Sequence, residues 1–403
     1  MRAYLTILRL PGALAFCAAA LLARAGGAMM GIGVVLMVSL TYGSYGLAGA
    51  VAAANSAAWA LGAAVLSNLV DRHGQRRIML PAAFISTVLL ALLVVLAVVH
   101  APAWLLFFPA AGSGFAGGSP GALVRARWNH ILDDPDQLHS ALALESTLDE
   151  VTFIVGPMAA TALATGLFPE AGLVAVCVVT VVGALVFYSQ RATEPPVEPS
   201  SRERSPDRPP WWRSLLLAMP GVAPAVAISL TIGMVFGSID VTVVAATRAW
   251  EAAWSAGLVL AAISLGSALA GLTYGSRVWA SPLPRRYLIG VVAFGVGTSV
   301  FLFAGSPVAL GVCGFVAGMA IAPTLINANS VVQQLVPQSR LTEGLAWLGT
   351  SIGLGASIGS AVAGHTIDLV GYHGGFWTVT ACAVMAIIVA AATIGVIRRH
   401  LSA

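Results

Sequence analysis

GFAGGSPGALVRARWNHILDDPDQLHSALALESTLDEVTFIVGP, residues Gly114 to Pro157, reads as two apolar runs joined by a short polar loop, with charges set inside the apolar parts. Arg125 stands at the end of the first run, and Glu145, Asp149 and Glu150 lie progressively deeper in the second. A charge held at mid-bilayer costs at least ~2.5 to 3.5 kcal/mol, so ionisable groups there face the protein interior or a wet cavity and tend to be functional. Glu145 and Asp149 are one helical turn apart and share a face, while Glu150 sits about 100° round from Asp149. The stretch predicts a helical hairpin in a membrane, built around buried charge.

The rest of the chain has the same character. Of its 403 residues 58% are hydrophobic and 9% charged, with a mean hydropathy of +0.90, where soluble proteins carry about 25% charge. Continuous apolar runs of about 20 residues, long enough for a hydrocarbon core of ~30 Å, recur throughout. Such runs exclude a β-barrel, whose signal is alternation over about ten residues. The expected architecture is an all-α integral membrane protein of twelve transmembrane helices, at 12–38, 45–70, 78–99, 103–128, 138–164, 171–190, 222–245, 254–279, 287–303, 309–333, 342–368 and 375–397. Residues 1–190 form one six-helix half and 214–403 the other, joined by a polar, Pro-rich linker at 191–213. Ala23-Arg24-Ala25 mimics a signal-peptidase site, but the apolar run continues well beyond it, as a spanning helix does.

All twenty basic residues are arginine, a usage that fits a high-GC bacterial genome. All but Arg248 and Arg24 fall on the side of the termini and linker, which makes that side cytoplasmic and the expected location a bacterial inner membrane. Cysteine labelling should therefore reach Ser200→Cys only from the cytoplasm and Ser306→Cys only from outside; the opposite pattern overturns the orientation. The four cysteines fall in separate apolar runs with no CxxC or His spacing, and read as small buried hydrophobes with no disulfide and no metal site.

The most specific motif is SNLVDRHGQRRIML, Ser67 to Leu80, between the second and third runs. Leu69, Asp71, Arg72, Gly74, Arg76 and Arg77 resemble the G-x-L-x-D-R-x-G-R-R loop of the major facilitator superfamily, with Ser67 in place of the first Gly. Chain length, apolar runs and central linker are similar to that family across the whole chain. The resemblance implies a cytoplasmic latch, in which Asp71 caps the helix beginning near Thr342 and the arginines pair with Asp133, Asp134 and Asp136. Gly156-Pro157 resembles the core of a helix-5 signature of the family's proton-coupled drug exporters, although Ala159-Ala160 stands where the final glycines belong.

The two halves echo each other faintly, as transporter repeats do. Superposing them places Pro120 on Pro323, Thr147 on Thr350 and Gly156 on Gly359, but Arg125 on Ala328, Asp149 on Ile352 and Glu150 on Gly353. Charge chemistry is thus concentrated in the first half, and the second contributes Asp240 with Asn327 and Asn329. Asp149, Glu150 and Asp240 are the candidate proton-coupling acids. Arg24, Arg125, Asn327 and Asn329 are candidate substrate contacts, with Arg24 alternatively paired to an acid of the fifth helix. Glu145 and Arg125 are the expected structural ion pair.

No nucleophile elbow, phosphate loop or metal-ligand spacing points to an enzyme. The expectation is a monomeric secondary transporter that takes protons and a small-molecule substrate, is embedded in lipid, binds no nucleic acid and needs no cofactor beyond an ion gradient. Proton-coupled export of a small amphipathic compound, a drug or natural product, is the leading expectation. Proton-coupled import of a polar or anionic nutrient is the second, and a non-transporting membrane sensor or scaffold the third.

Overall fold

Continuous apolar sequence folds as continuous helix, because in hydrocarbon every backbone polar group must be paired within its own segment. The computed structural model describes residues 6–196, 221–275, 277, 279–336 and 341–401, so most of the expected linker lies outside the described residues. The longer helices are α1 (Ala13–Tyr42), α2 (Tyr45–His73), α3 (Gln75–Val98), α4 (Trp104–Gly117), α5 (Pro120–Ile131), α6 (Pro135–Gly166), α7 (Ala171–Ser189), α8 (Val222–Ala249), α9 (Ala256–Gly275), α10 (Leu283–Ser299), α11 (Pro307–Gly318), α12 (Ile321–Leu335), α13 (Leu341–Val370) and α14 (Tyr372–Leu401). Among the described residues nine segments are long and apolar enough to cross a membrane: α1, α2, α3, α7, α8, α9 with the turn before it, α10 with the turn after it, α11–α12 together, and α14. The α4–α5 pair, α6 and α13 occupy the three other expected spans.

Two expected spans, the fourth and the tenth, are broken. Gly118 takes a φ of +61° that suits glycine, and the chain restarts at Pro120. The carbonyl freed at this break accepts the Trp59 indole N–H at 2.7 Å. In the second half α11 stops at Gly318 and α12 restarts at Ile321, with Pro323 in its first turn. Proline is tolerated there and not in a helix interior. The prolines superposed by the sequence repeat thus mark a shared interruption.

Adjacent helices pack through small residues, the expected device where lipid removes any hydrophobic drive for helices to associate. Gly233 and Gly237 of α8 press on the backbone of Ile352 and Ala356 in α13, and Gly355 and Gly359 of α13 press back on Leu230 and Met234. The glycine string of α13 is therefore a packing surface.

The first and last described residues lie at one end of the bundle, called here the near side. There, the start of α1, the end of α2 and the start of α3 share a core with α5, α6 and α7 that includes Phe16, Val70, Met79, Trp128 and Phe187. The halves meet along α2 with α13 and along α6 with α9. Towards the far side Gly49 is pressed on the Ser360 carbonyl and Gly364 on that of Tyr45, and Pro157 and Met158 crowd Gly257. Nearer the termini, Gly344 of α13 packs instead on Val332 and Val336 of its own half.

Candidate functional site

Helix α6 presents two chemically different faces. Glu145, Asp149 and Gly156 follow one stripe, and Gly156 packs on Ala28 of α1. Glu150, Pro157 and Thr161 follow another, and the last two crowd Gly257 of α9, so Glu150 turns towards the opposite half.

The first stripe holds a closed charge cluster. Arg24 Nη2 meets Glu145 Oε2 at 2.7 Å, Arg24 Nη1 meets Asp149 Oδ1 at 2.8 Å, and Arg125 Nη2 meets Asp149 Oδ2 at 2.6 Å. Glu145 is 0% exposed and Arg24 8%. The other Glu145 oxygen accepts the Trp128 indole N–H at 2.7 Å and the Cys17 thiol at 3.3 Å. Arg24 Nε and Arg125 Nη1 donate to carbonyls one turn back in their own helices, Ala20 and Gly121. Two guanidiniums face two carboxylates, so the charges of the cluster balance, and three of its four carboxylate oxygens accept a hydrogen bond while Glu145 Oε2 is held by its ion pair with Arg24.

The expected Glu145–Arg125 pair is corrected: Arg125 binds Asp149, and Glu145 binds Arg24. The reason is the tilt of helical side chains towards their own N-terminus. α5 runs towards the near side, so Arg125 leans away from that side. α1 and α6 run the other way, so Arg24, Glu145 and Asp149 lean towards it. Arg125 therefore meets the acid one turn deeper than its backbone level suggests. Cys17, expected as an inert small hydrophobe, is buried as expected but also donates to Glu145.

Asp240 stands apart. It is half-buried on α8, and its Oδ2 lies 3.9 Å from where a Cβ on Gly31 of α1 would stand. It thus faces the other half across the long axis of the bundle. Asp240 and Glu150 have no hydrogen-bond or ion-pair partner among the described residues. Asn327 is buried within its own half, accepting the Tyr274 hydroxyl at 3.0 Å, and Asn329 is exposed; neither joins the Arg24–Arg125 cluster.

At the latch loop, Gly74 adopts φ +89°, and its N–H closes α2 on the Val70 carbonyl at 2.8 Å. Asp71, Arg72 and Arg77 are exposed, and Asp71 has no partner among the described residues. The Arg76 amide donates to Glu194 at 2.9 Å, a partner the sequence did not suggest. The side chains of Asp136 and Thr342 lie outside the described residues. Arg127, which the sequence offers only as one more arginine at the cytoplasmic end of the fourth span, is 0% exposed: it bonds Gln75, the Gln190 carbonyl and Thr193, and lies 4.0 Å over the Phe187 ring.

At the far side, Asp368 at the end of α13 accepts the Ser44 hydroxyl at 2.6 Å and the amides of Tyr45 and Gly46 at 2.8 and 2.7 Å. In the sequence the only local signal of Asp368 is an acid in the last turn of a helix.

A family model described as Major Facilitator Superfamily matches residues 16–286 and 255–402. No curated protein matches the sequence. Among solved structures, the nucleoside transporter NupG superposes with a TM-score of 0.70 at 15% identity, covering 95% of this chain and 98% of that one. The peptide transporter POT in complex with sulfate gives 0.70 at 13% identity, with coverage of 96% and 94%. The human organic anion transporter MFSD10 (TETRAN) gives 0.63 at 15% identity, with coverage of 94% and 98%.

Proposed function

The chain belongs to the major facilitator superfamily, and from that premise we propose that it is a proton-coupled exporter of small amphipathic compounds, working by alternating access between its two halves. The observation that carries the reading is Asp240, a half-buried carboxylate without a partner among the described residues, set between the halves. An ionisable group left unpaired at membrane depth is a functional group by default. Opening one side and then the other changes its access to water, and with it the balance between its charged and neutral forms.

A cationic amphipath and a proton would compete for the same carboxylate, which is the chemistry of exchange. Glu150, without a partner among the described residues and facing α9, is the second acid on that route. The competing reading, import of an anionic nutrient, needs free positive charge. Both candidate arginines are neutralised, Arg24 by Glu145 and Asp149, and Arg125 by Asp149. An incoming anion would have to displace Asp149, and this weighs against import. The near side, to which the sequence expectation assigns nearly all the arginines, is the cytoplasmic side of a bacterial inner membrane on this reading. At 13 to 15% identity the solved transporters lend their fold and not their substrates.

The test is flux in proteoliposomes with an acidic lumen and an entrapped pH dye. A panel of one cationic dye (ethidium), one nucleoside (uridine), one dipeptide and one aryl carboxylate is added outside. Ethidium is expected to accumulate and to alkalise the lumen only when the protein is present. Proton movement driven by the carboxylate alone would install the import reading, and no coupled movement with any compound would remove proton coupling.

A further inference from the structure

The far-side contacts form a matched set. The first turn of α2 leaves amides that no intrahelical carbonyl can accept. Ser44, its N-cap, accepts the Leu47 amide at 3.0 Å. The amides of Tyr45 and Gly46 are taken by Asp368, which comes from the opposite half. Gly46 makes the approach possible, since a Cβ there would fall 2.7 Å from Asp368 Oδ2. Close by, Arg248 at the end of α8 donates to the Ser39 carbonyl in the last turn of α1 at 3.2 Å. The second half therefore supplies, at two helix ends of the first, the charge that the helix dipole favours there: an anion at the N-terminus of α2 and a cation at the C-terminus of α1.

The same two helices carry the mirror arrangement at their other ends. α2 ends at the near side beside Asp71, and α13 begins there at Leu341. In this conformer Asp368 is engaged, while Asp71 is exposed and without a partner among the described residues. The helices touch from Gly46 to Ala60, where Gly353 packs on Ala60, and beyond that point Gly344 turns to α12.

We propose that Asp368 is the far-side counterpart of the Asp71 latch: it holds the far side shut by capping α2, and its release accompanies the near-side closure in which Asp71 caps α13. The two helices rock about their shared middle, so only one end is capped at a time. Asp368 is a positioning residue; it acts on the balance between the two conformations and not on the substrate. The inference rests on the alternating-access reading but is tested without substrate.

Spin labels at Ala103→Cys and Gly305→Cys, in a background with the native cysteines replaced, report the far-side opening of the purified full chain. Ala103 is exposed in one half, and a Cβ on Gly305 in the other meets nothing within 4 Å. Asp368→Ala is expected to raise the ratio of long to short distances roughly ten-fold, the size that loss of a helix N-cap brings. Asp71→Ala is expected to move the same ratio the other way, which a merely structural loss would not do. Gly46→Ala, which keeps every charge and denies the carboxylate its seat, should reproduce the Asp368→Ala shift and serves if that variant folds poorly. Unchanged distances in Asp368→Ala or Gly46→Ala, or shifts of one sign in both aspartate variants, overturn the proposal. A failed flux panel with shifted distances would instead remove the export reading and leave the paired latch standing.

Discussion

Glu145→Gln is expected to cost about 3 to 5 kcal/mol of stability, the range for removing one member of a buried ion pair, and to show as a much lower melting temperature or as lost expression. Glu145 is 0% exposed, so no water can replace what the carboxylate accepts. Trp128 and Cys17 donate to one oxygen, and Arg24 faces the other at 2.7 Å. An amide has one acceptor for these donors and turns its own N–H groups on either Trp128 or Arg24. Asp149 then stands alone between two guanidiniums, leaving a net positive charge at a site where Arg24 is 8% exposed. Replacing Arg24 as well, in Arg24→Gln with Glu145→Gln, should recover part of the loss. Cys17→Ala, which removes only a weak neutral donor, should cost about 1 kcal/mol or less. Thermal unfolding of the three variants in detergent reads all of these, and a Glu145→Gln protein as stable as the parent would mean that the carboxylate is neutral in the fold.

How far the sequence carried this reading depends on how local each signal was. The spans were legible because a helix in lipid needs only a continuous apolar run, a property of each segment alone. The interruptions at Gly118 and before Ile321 were missed because an apolar run does not record a backbone break; Pro120 and Pro323 were the available signals. The cluster was half legible: one-turn spacing put Glu145 and Asp149 on one face, and a lone Arg24 at membrane depth called for an acid. Which acid took which arginine depended on side-chain lean in helices of opposite direction, a matter of relative register between elements. Trp128 and Asp368 were invisible for the same reason, since each acts on a residue far away in sequence. Asp240 stood out as a candidate because a lone aspartate in an apolar run is conspicuous on its own.

The largest functional effect is expected at Asp240. If it exchanges protons with a cationic substrate, Asp240→Asn removes the group for which the two compete while keeping its size, and nothing the structure shows bonded to it is lost. The variant should fold with an unchanged melting temperature, and pH-driven accumulation of ethidium should fall to the level of empty liposomes. Substrate exchange without a gradient should survive, since the protein no longer has to lose a proton to turn over. Asp149→Asn separates coupling from structure, because Asp149 sits between Arg24 and Arg125; its replacement should lower the melting temperature first and transport through it. Glu150 faces α9 and has no partner among the described residues, so Glu150→Gln should resemble Asp240→Asn if both acids lie on the proton route, and the parent if Asp240 acts alone. Should all three variants fold normally and still concentrate ethidium at the parental rate, coupling through these acids is wrong, and transport driven by sodium or by the substrate gradient takes its place.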